Sequence, residues 1–202
     1  MNFQDRRRHL MGADRTLFCA MATGLFLLTS ACVGQDQAAD HRARLEKSLQ
    51  TWHKLKKECN GNYSYRVRWS SFTGFGHETV VVVQRNKVVE RRFTEFHRRR
   101  PAAPPAEAGK QADPGGWVEG RRELGAHKQG AAAVTLDKLY EQAVKVLEKD
   151  LAPNTGRYLR FNQQGLLLSC FDVDRRIADD APRRGVVISG IELSTGKPGR
   201  RE

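Results

Sequence analysis

The sequence predicts an α+β fold, a two-layer sandwich in which two helices lie on one face of an antiparallel sheet. Two segments carry apolar residues at the spacing of an amphipathic helix, and several others alternate between apolar and polar residues. These segments follow one another in the order αβββ-αβββ. Because each helix and each strand must bury its apolar side, the economical arrangement packs both helices against one sheet.

The first αβββ half is predicted at residues 40–97. Its helix begins near Asp40 and is ended by Asn60-Gly61. The apolar face of this helix is formed by Leu45, Leu49, Trp52, Leu55 and Cys59. Strands are expected at 63–70, 79–85 and 88–96, with Asn86-Lys87 as the turn between the last two.

The second αβββ half is predicted at residues 134–195. A helix runs from Thr135, a good N-cap residue, to about residue 151. Its buried stripe is predicted to be Leu136, Leu139, Tyr140, Ala143, Val144 and Leu147. Strands are expected at 157–162, 166–173 and 185–193, and residues 196–202 form a loose tail.

Between the two halves, residues 98–133 are rich in proline, alanine, glycine and charged residues. This composition favours a disordered insertion, because it offers little apolar surface to bury. Trp117-Val118 is the one segment within it that could dock as a short strand.

Residues 1–31 have the three parts of a bacterial export signal. A basic beginning is followed by an uncharged stretch at 17–29 and then by small residues before Cys32. The uncharged stretch is shorter than the roughly 20 residues that a helix needs to span a bilayer. We therefore expect a signal peptide rather than a membrane-spanning helix.

The end of this signal, Leu28-Thr29-Ser30-Ala31-Cys32, resembles the lipobox of bacterial lipoproteins. The resemblance implies cleavage before Cys32, lipidation of its thiol with acyl chains such as palmitate, and a tether at 32–39. Thr29 stands where the lipobox most often has leucine, so ordinary secretion after cleavage by signal peptidase I is the alternative. The domain would face the periplasm or the outside, and Val33 in place of aspartate favours the outer membrane.

The chain remaining after cleavage is strongly basic. Residues 1–31 contain four basic and two acidic residues, which leaves 31 basic and 21 acidic residues and a net charge of +10. Such a charge can attract an anionic envelope polymer, whereas export argues against nucleic acid as a partner. Arg66 and Arg68 on the polar face of the first strand could join Arg91 or Arg92 in a binding patch. The alternative is that these charges protect the sheet from aggregation.

Cys59 and Cys170 are the cysteines that remain once Cys19 leaves with the signal and Cys32 takes lipid. An even pair in an oxidising compartment is compatible with a disulfide. Two buried, unpaired thiols are the alternative.

The sequence has few features of a catalytic or metal site. It contains no GxSxG, HExxH or CxxC motif, and Gly74-Phe75-Gly76 lacks the helix that a phosphate-binding loop requires. We therefore expect no catalytic residues, no cofactor and no metal. The alternative is a metal-dependent hydrolase built around Asp172, Asp174 and His77.

Several of these elements together resemble a family of uncharacterised bacterial lipoprotein domains, a domain of unknown function. The resemblance rests on Trp52 in the first helix, Tyr63-Ser64-Tyr65, the valines at 80–83, the Asn86-Lys87 turn, the second helix at 136–147 and the glycine hairpin within 158–171. It covers about two thirds of the chain after Cys32, and the insertion at 98–133 departs from it. It implies no activity.

Together these observations predict a non-enzymatic lipoprotein of the cell envelope. Its partners would be the membrane, through the lipid, and a protein or an anionic envelope component. A small ligand carrier, with the insertion as a lid over an apolar cleft between helices and sheet, is the main alternative.

Overall fold

The computed structural model describes residues 29–97, 115–177 and 181–194, with side chains from residue 37 onward. In chain order its elements are α1 (Thr29–Glu58), β1 (Tyr63–Ser70), β2 (Phe75–Gln84), β3 (Lys87–His97), β4 (Gly116–Gly120), α2 (Leu136–Glu148), β5 (Thr155–Phe161), β6 (Leu167–Asp174), β7 (Arg184–Val187) and β8 (Gly190–Leu193). Neighbouring strands are antiparallel throughout these elements. The predicted α+β class is therefore confirmed.

The strands form two sheets where the sequence predicts one. The five-stranded sheet has the order β4-β3-β2-β1-β8, and the three-stranded sheet has the order β5-β6-β7. The predicted single strand at 185–193 is divided into β7 and β8. The Ile188 amide donates to Leu168 O beside β6 at 2.7 Å, whereas the Ser189 amide donates to Arg66 O in β1 at 2.7 Å. The chain thus leaves one sheet and enters the other at these two residues.

Helix α1 begins at Thr29, well before the predicted start near Asp40. Residues 32–39, predicted as a lipidated tether, are helical. Alanine and glutamine at 35–39 favour helix, so the favourable propensity extends the helix toward its N-terminus despite Gly34. Residues 29–39 belong to one unit of the chain, and a second unit begins at Asp40. Residues 1–28 of the predicted signal peptide at 1–31, and the predicted tail at 196–202, lie outside the described residues.

The turn between β2 and β3 is Arg85-Asn86 rather than the predicted Asn86-Lys87. Gln84 pairs with Lys87, and the register shifts between Val82 and Val83. Both turn residues have positive φ, 49° for Arg85 and 64° for Asn86. This is the conformation of a type I′ hairpin turn, in which asparagine is well tolerated.

The predicted disordered insertion at 98–133 is corrected for its second part. Residues 116–120 form β4, an edge strand that pairs with β3. Trp117 and Glu119 alternate onto the same face, and both find partners on the sheet there. Composition alone therefore understates the order of this segment. Residues 98–114 lie outside the described residues.

The core lies between the helices and the inner faces of both sheets. It is built from Leu45, Trp52, Tyr63, Tyr65, Val81, Val83, Leu136, Tyr140, Ala143, Leu147, Leu159, Leu166, Leu167, Cys170, Val186 and Ile188, with a few neighbours. The Tyr140 hydroxyl joins three elements, because it bonds Ser48 Oγ of α1 at 2.7 Å and accepts the Leu167 amide of β6 at 3.0 Å. Val144 was predicted to be buried, but it is 39% exposed, and Val146 faces the core instead.

Cys59 and Cys170 are both buried and free, which corresponds to the alternative of two unpaired thiols. Cys59 Sγ donates to Lys56 O at 3.5 Å and Cys170 Sγ donates to Ala143 O at 3.6 Å. Burial raises the pKa of the Cys170 thiol to about 11. Each thiol therefore behaves as a small core side chain with a backbone partner.

Among the described residues, no helix combines the length and the apolar character needed to cross a bilayer.

Candidate interaction surface

The five-stranded sheet has an inner face, which carries the buried Tyr65 and Val81, and an outer face on its other side. Successive residues of a strand point to opposite faces, so the register assigns each side chain to one of them. The outer face carries Ser64, Arg66, Arg68, Glu78, Val80, Val82, Glu90, Arg92, Val118 and Glu192. It is the face that the predicted basic patch would occupy.

A groove of about 700 Å³ lies on the outer face. Its lining includes the aliphatic Val80 and Val82 and the charged Arg66, Glu78, Arg92, Arg121 and Glu192. Val118 of the edge strand β4 is 61% exposed on the same face. The outer face therefore combines aliphatic side chains with charged ones.

The arginines of the outer face do not form a purely cationic patch. Arg66 is ion-paired with Glu192 of β8, and Arg92 is ion-paired with Glu90 of β3. Arg68 lies over the ring of Phe96 at 4.2 Å from its centroid. Positive and negative groups thus alternate across the sheet, which weakens the expected attraction for a polyanion.

Arg91, predicted as a candidate member of this patch, lies on the inner face and is 3% exposed. Its guanidinium makes two hydrogen bonds to the Glu119 carboxylate, at 2.8 and 2.9 Å. It also donates to the carbonyl oxygens of His127 at 2.6 Å and Ala131 at 2.7 Å. The alternation with buried Phe93 is the feature of the sequence that could have assigned Arg91 to this face.

Glu119 is fully buried and fastens the segment after β4 to the sheet. Besides Arg91, it accepts the amides of Gly125 at 2.8 Å and His127 at 2.6 Å. His127 Nδ1 lies 2.9 Å from the same carboxylate. The Arg91 guanidinium holds the pKa of Glu119 well below its usual range; the two amides act in the same direction, and burial acts against them.

A row of stacked rings crosses the inner face beside this ion pair. Its successive members are Trp69, His77, Phe93, Trp117 and His127, with centroids 4.4–5.5 Å apart. The Arg91 guanidinium lies 4.5 Å from the Trp117 ring centroid. Among the described residues, His77 Nδ1 and Trp117 Nε1 are buried without a hydrogen-bond partner. The row ends at Trp69, which is 48% exposed.

The residues predicted as candidates for a hydrolytic site do not come together, and both aspartates are paired with arginines. Asp172 is held by Arg157 at 2.8 and 2.9 Å, and Asp174 is held by Arg176 at 2.6 and 3.0 Å. The Arg176 hydrogen bonds lower the pKa of Asp174 to about 2. His77 belongs to the other sheet and stacks on Trp69. Within the part of the chain that the structure describes, no group of three potential metal ligands converges.

The apolar cleft expected between helices and sheet lies instead between the two helices. It has a volume of about 400 Å³ and is lined by Leu45 and Leu49 of α1 and by Val144 and Leu147 of α2. Residues 116–120, which belong to the predicted lid, extend the sheet as β4.

Comparisons with protein-family models, with curated protein sequences and with solved structures gave no significant match. The resemblance to the lipoprotein family therefore stays a prediction from the residues quoted above.

Proposed function

We propose that this chain is a lipid-anchored, non-enzymatic protein of the bacterial cell envelope whose domain binds a protein partner. The partner lies on the outer face of the five-stranded sheet. The observation that carries the proposal is the groove of about 700 Å³, which is lined by valines and by charged side chains of both signs.

The charge pattern favours a protein over an anionic polymer. A polyanion approaching Arg66 or Arg92 would meet Glu192 and Glu90, which already neutralise these arginines. Protein interfaces, in contrast, combine an apolar centre with a polar rim that carries both signs of charge. Val80, Val82 and Val118 would supply the centre of such an interface.

The lipid anchor is supported by the sequence that ends at Cys32. Two or more acyl chains hold a protein at a membrane, whereas a single chain gives only marginal binding. The anchor would keep the domain, which begins at Asp40, close to the membrane surface and to partners there.

In-cell photo-cross-linking tests the outer face directly. A photoreactive amino acid in place of Val118 is expected to give a discrete adduct with an envelope protein, because Val118 is exposed within the proposed interface. The same probe at Gln163, an exposed residue between β5 and β6, should give none. Absence of a Val118-specific adduct would count against the proposal.

A charge-reversal variant distinguishes a defined interface from nonspecific attraction by net charge. Arg92→Glu should abolish the Val118 adduct, because it places a carboxylate beside Glu90 on the outer face. Arg160→Glu is the matched control, since Arg160 is also an exposed arginine but lies in the three-stranded sheet. Equal loss of the adduct with both variants would show attraction by net charge rather than a defined interface.

The alternative function, a carrier of a small apolar ligand, is favoured by the cleft between the helices. A bulky substitution at Val144 would fill this cleft while leaving the outer face intact. The carrier function would replace the proposal if a phenotype of cells that lack the protein were restored by the Arg92→Glu protein but not by the Val144→Trp protein.

A further inference from the structure

We propose that the hairpin end between β1 and β2 inserts into the interface of an anionic lipid bilayer and gives the domain a second membrane contact. The aromatic tip is defined here as Trp69, Phe72 and Phe75. This inference rests on the proposed lipid anchor, which would place the domain beside a bilayer.

The aromatic tip exposes an unusual amount of apolar surface. Phe72 is 90% exposed, Trp69 is 48% exposed, and Phe75 is half-buried. Single exposed apolar residues are common on proteins, but here three aromatic residues lie at one end of one hairpin. Aromatic side chains, tryptophan above all, are favoured at the membrane–water interface.

The tip is held in a defined conformation. The Ser71 amide donates to Phe75 O at 2.8 Å, and the Ser71 and Thr73 hydroxyls are 2.7 Å apart. Gly74, with a φ of 87°, allows the chain to reverse. Phe72 thus projects from a structured turn, so its insertion would not require the ordering of a flexible loop.

Two rings of the aromatic tip pack against histidine rings of the sheet. Trp69 stacks on His77 at 5.5 Å and contacts Phe75 edge-on at 6.3 Å. Phe75 lies 5.0 Å from the His97 ring at the end of β3. The tip is therefore anchored in the row of rings on the inner face of the sheet.

One basic side chain, Arg68, lies next to the aromatic tip. Arg68 precedes Trp69, and within the described residues no carboxylate lies within 4 Å of its guanidinium. Glu78, its cross-strand neighbour, is the acidic group nearest in the register. Basic residues near a membrane surface are attracted to anionic lipid.

The shape of the tip favours lipid over a protein partner. A stable protein interface buries more than about 1,000 Å², which a few side chains at a hairpin end do not provide. A bilayer interface, in contrast, accepts a narrow apolar projection with basic residues at its edge.

The test uses the acylated protein, isolated from membranes and reconstituted into vesicles, with a fluorescent dye on Thr73→Cys. Cys59 and Cys170 are buried, and under the proposed function Cys32 carries the lipid, so the dye attaches at the turn. In equimolar phosphatidylcholine and phosphatidylglycerol we expect lipid-borne quenchers to quench the dye. Quenching should weaken in phosphatidylcholine alone and at high salt, because surface charge is then absent or screened.

Two variants make the test specific. Phe72→Ser in the Thr73→Cys protein should lose most of the quenching, because the inserted ring is gone. A dye on Lys87→Cys, at the opposite end of β2, should stay unquenched. An unquenched Thr73 position, or equal quenching at Lys87, would overturn the inference.

The anchor is read out separately, by the mass of the same protein. If acyl chains are present and the Thr73 dye is not quenched, the tip inference fails and the proposed anchor stands. If Cys32 carries no lipid, its thiol would also take the dye, so the Thr73→Cys protein is then labelled with Cys32 replaced by serine. Quenching that persists in this protein when it is added to the mixed vesicles means that the proposed anchor fails and the tip inference stands.

Discussion

Replacing Arg91 with leucine is expected to destabilise the domain by about 3–5 kcal/mol, the usual cost of removing one partner of a buried ion pair. Glu119 would then remain fully buried without its cation. The carbonyl oxygens of His127 and Ala131 would also lose their donors. The segment at 121–134 should consequently detach from the sheet before the rest of the domain unfolds.

Urea denaturation measures the loss of stability, and amide hydrogen exchange at Gly125 and His127 measures the detachment. Arg92→Leu is the matched control, because the neighbouring arginine is exposed and paired with Glu90. A surface ion pair of this kind contributes only about 0–1 kcal/mol. Similar effects of the two substitutions would contradict the buried position of Arg91.

The same ion pair predicts an acid dependence. The folded-state pKa of Glu119 is lowered, so its contribution to stability is complete above the ordinary glutamate pKa of 4.5 and is lost as the pH falls toward the folded-state pKa. Stability should therefore decrease below about pH 4.5. In the Arg91→Leu protein this decrease should be smaller, because the main cause of the lowered pKa is absent.

Replacing Trp52 with alanine is expected to cost about 3–5 kcal/mol, as for other fully buried tryptophans. Trp52 has no exposed surface, and its ring meets Tyr63 edge-on at 4.9 Å. Its indole Nε1 also donates to Asp137 at 3.2 Å, which connects α1 with α2. The substitution would leave a cavity where the two helices meet the sheet.

Trp52→Phe separates packing from the hydrogen bond. Phenylalanine keeps much of the ring volume but cannot donate to Asp137, which still holds Lys56 at 2.9 Å. We expect a smaller loss of stability than for alanine, measured by the same urea denaturation. A loss as large as that of Trp52→Ala would mean that the hydrogen bond, rather than the packing, is the main contribution.

Elements with one buried face could be predicted because burial imposes a period on the sequence. The spacing of Leu45 and Trp52 predicts α1 from residue 40 onward, and the alternation of Tyr63 and Tyr65 predicts β1. These residues are buried as expected. The α+β class follows from such local patterns alone.

Arg91 and Glu119 could not be paired from the sequence, because their contact joins residues 28 positions apart in different strands. A charged residue in a strand ordinarily indicates a solvent-exposed position. Its burial here depends on a partner in β4, a segment whose composition favours disorder. The predicted patch consequently included one residue from the wrong face of the sheet.

The division of the strands into two sheets could not be predicted from local patterns either. Residues 185–193 form one apolar stretch, and only the hydrogen bonds of Ile188 and Ser189 to different strands show where the chain changes sheets. The outer-face ion pair between Arg66 and Glu192 is likewise tertiary, since it joins β1 and β8. Glu90, in contrast, lies two residues from Arg92 in the same strand, so this pair is local.

The central claim is that this domain is held at a membrane by lipid on Cys32, and the intact mass of the membrane-extracted protein tests it most directly. We predict an N-terminus at Cys32 that carries two or three acyl chains, and a Cys32→Ala protein without acyl chains. An unmodified N-terminus at any other residue would contradict the claim, as would acylation that persists in the Cys32→Ala protein.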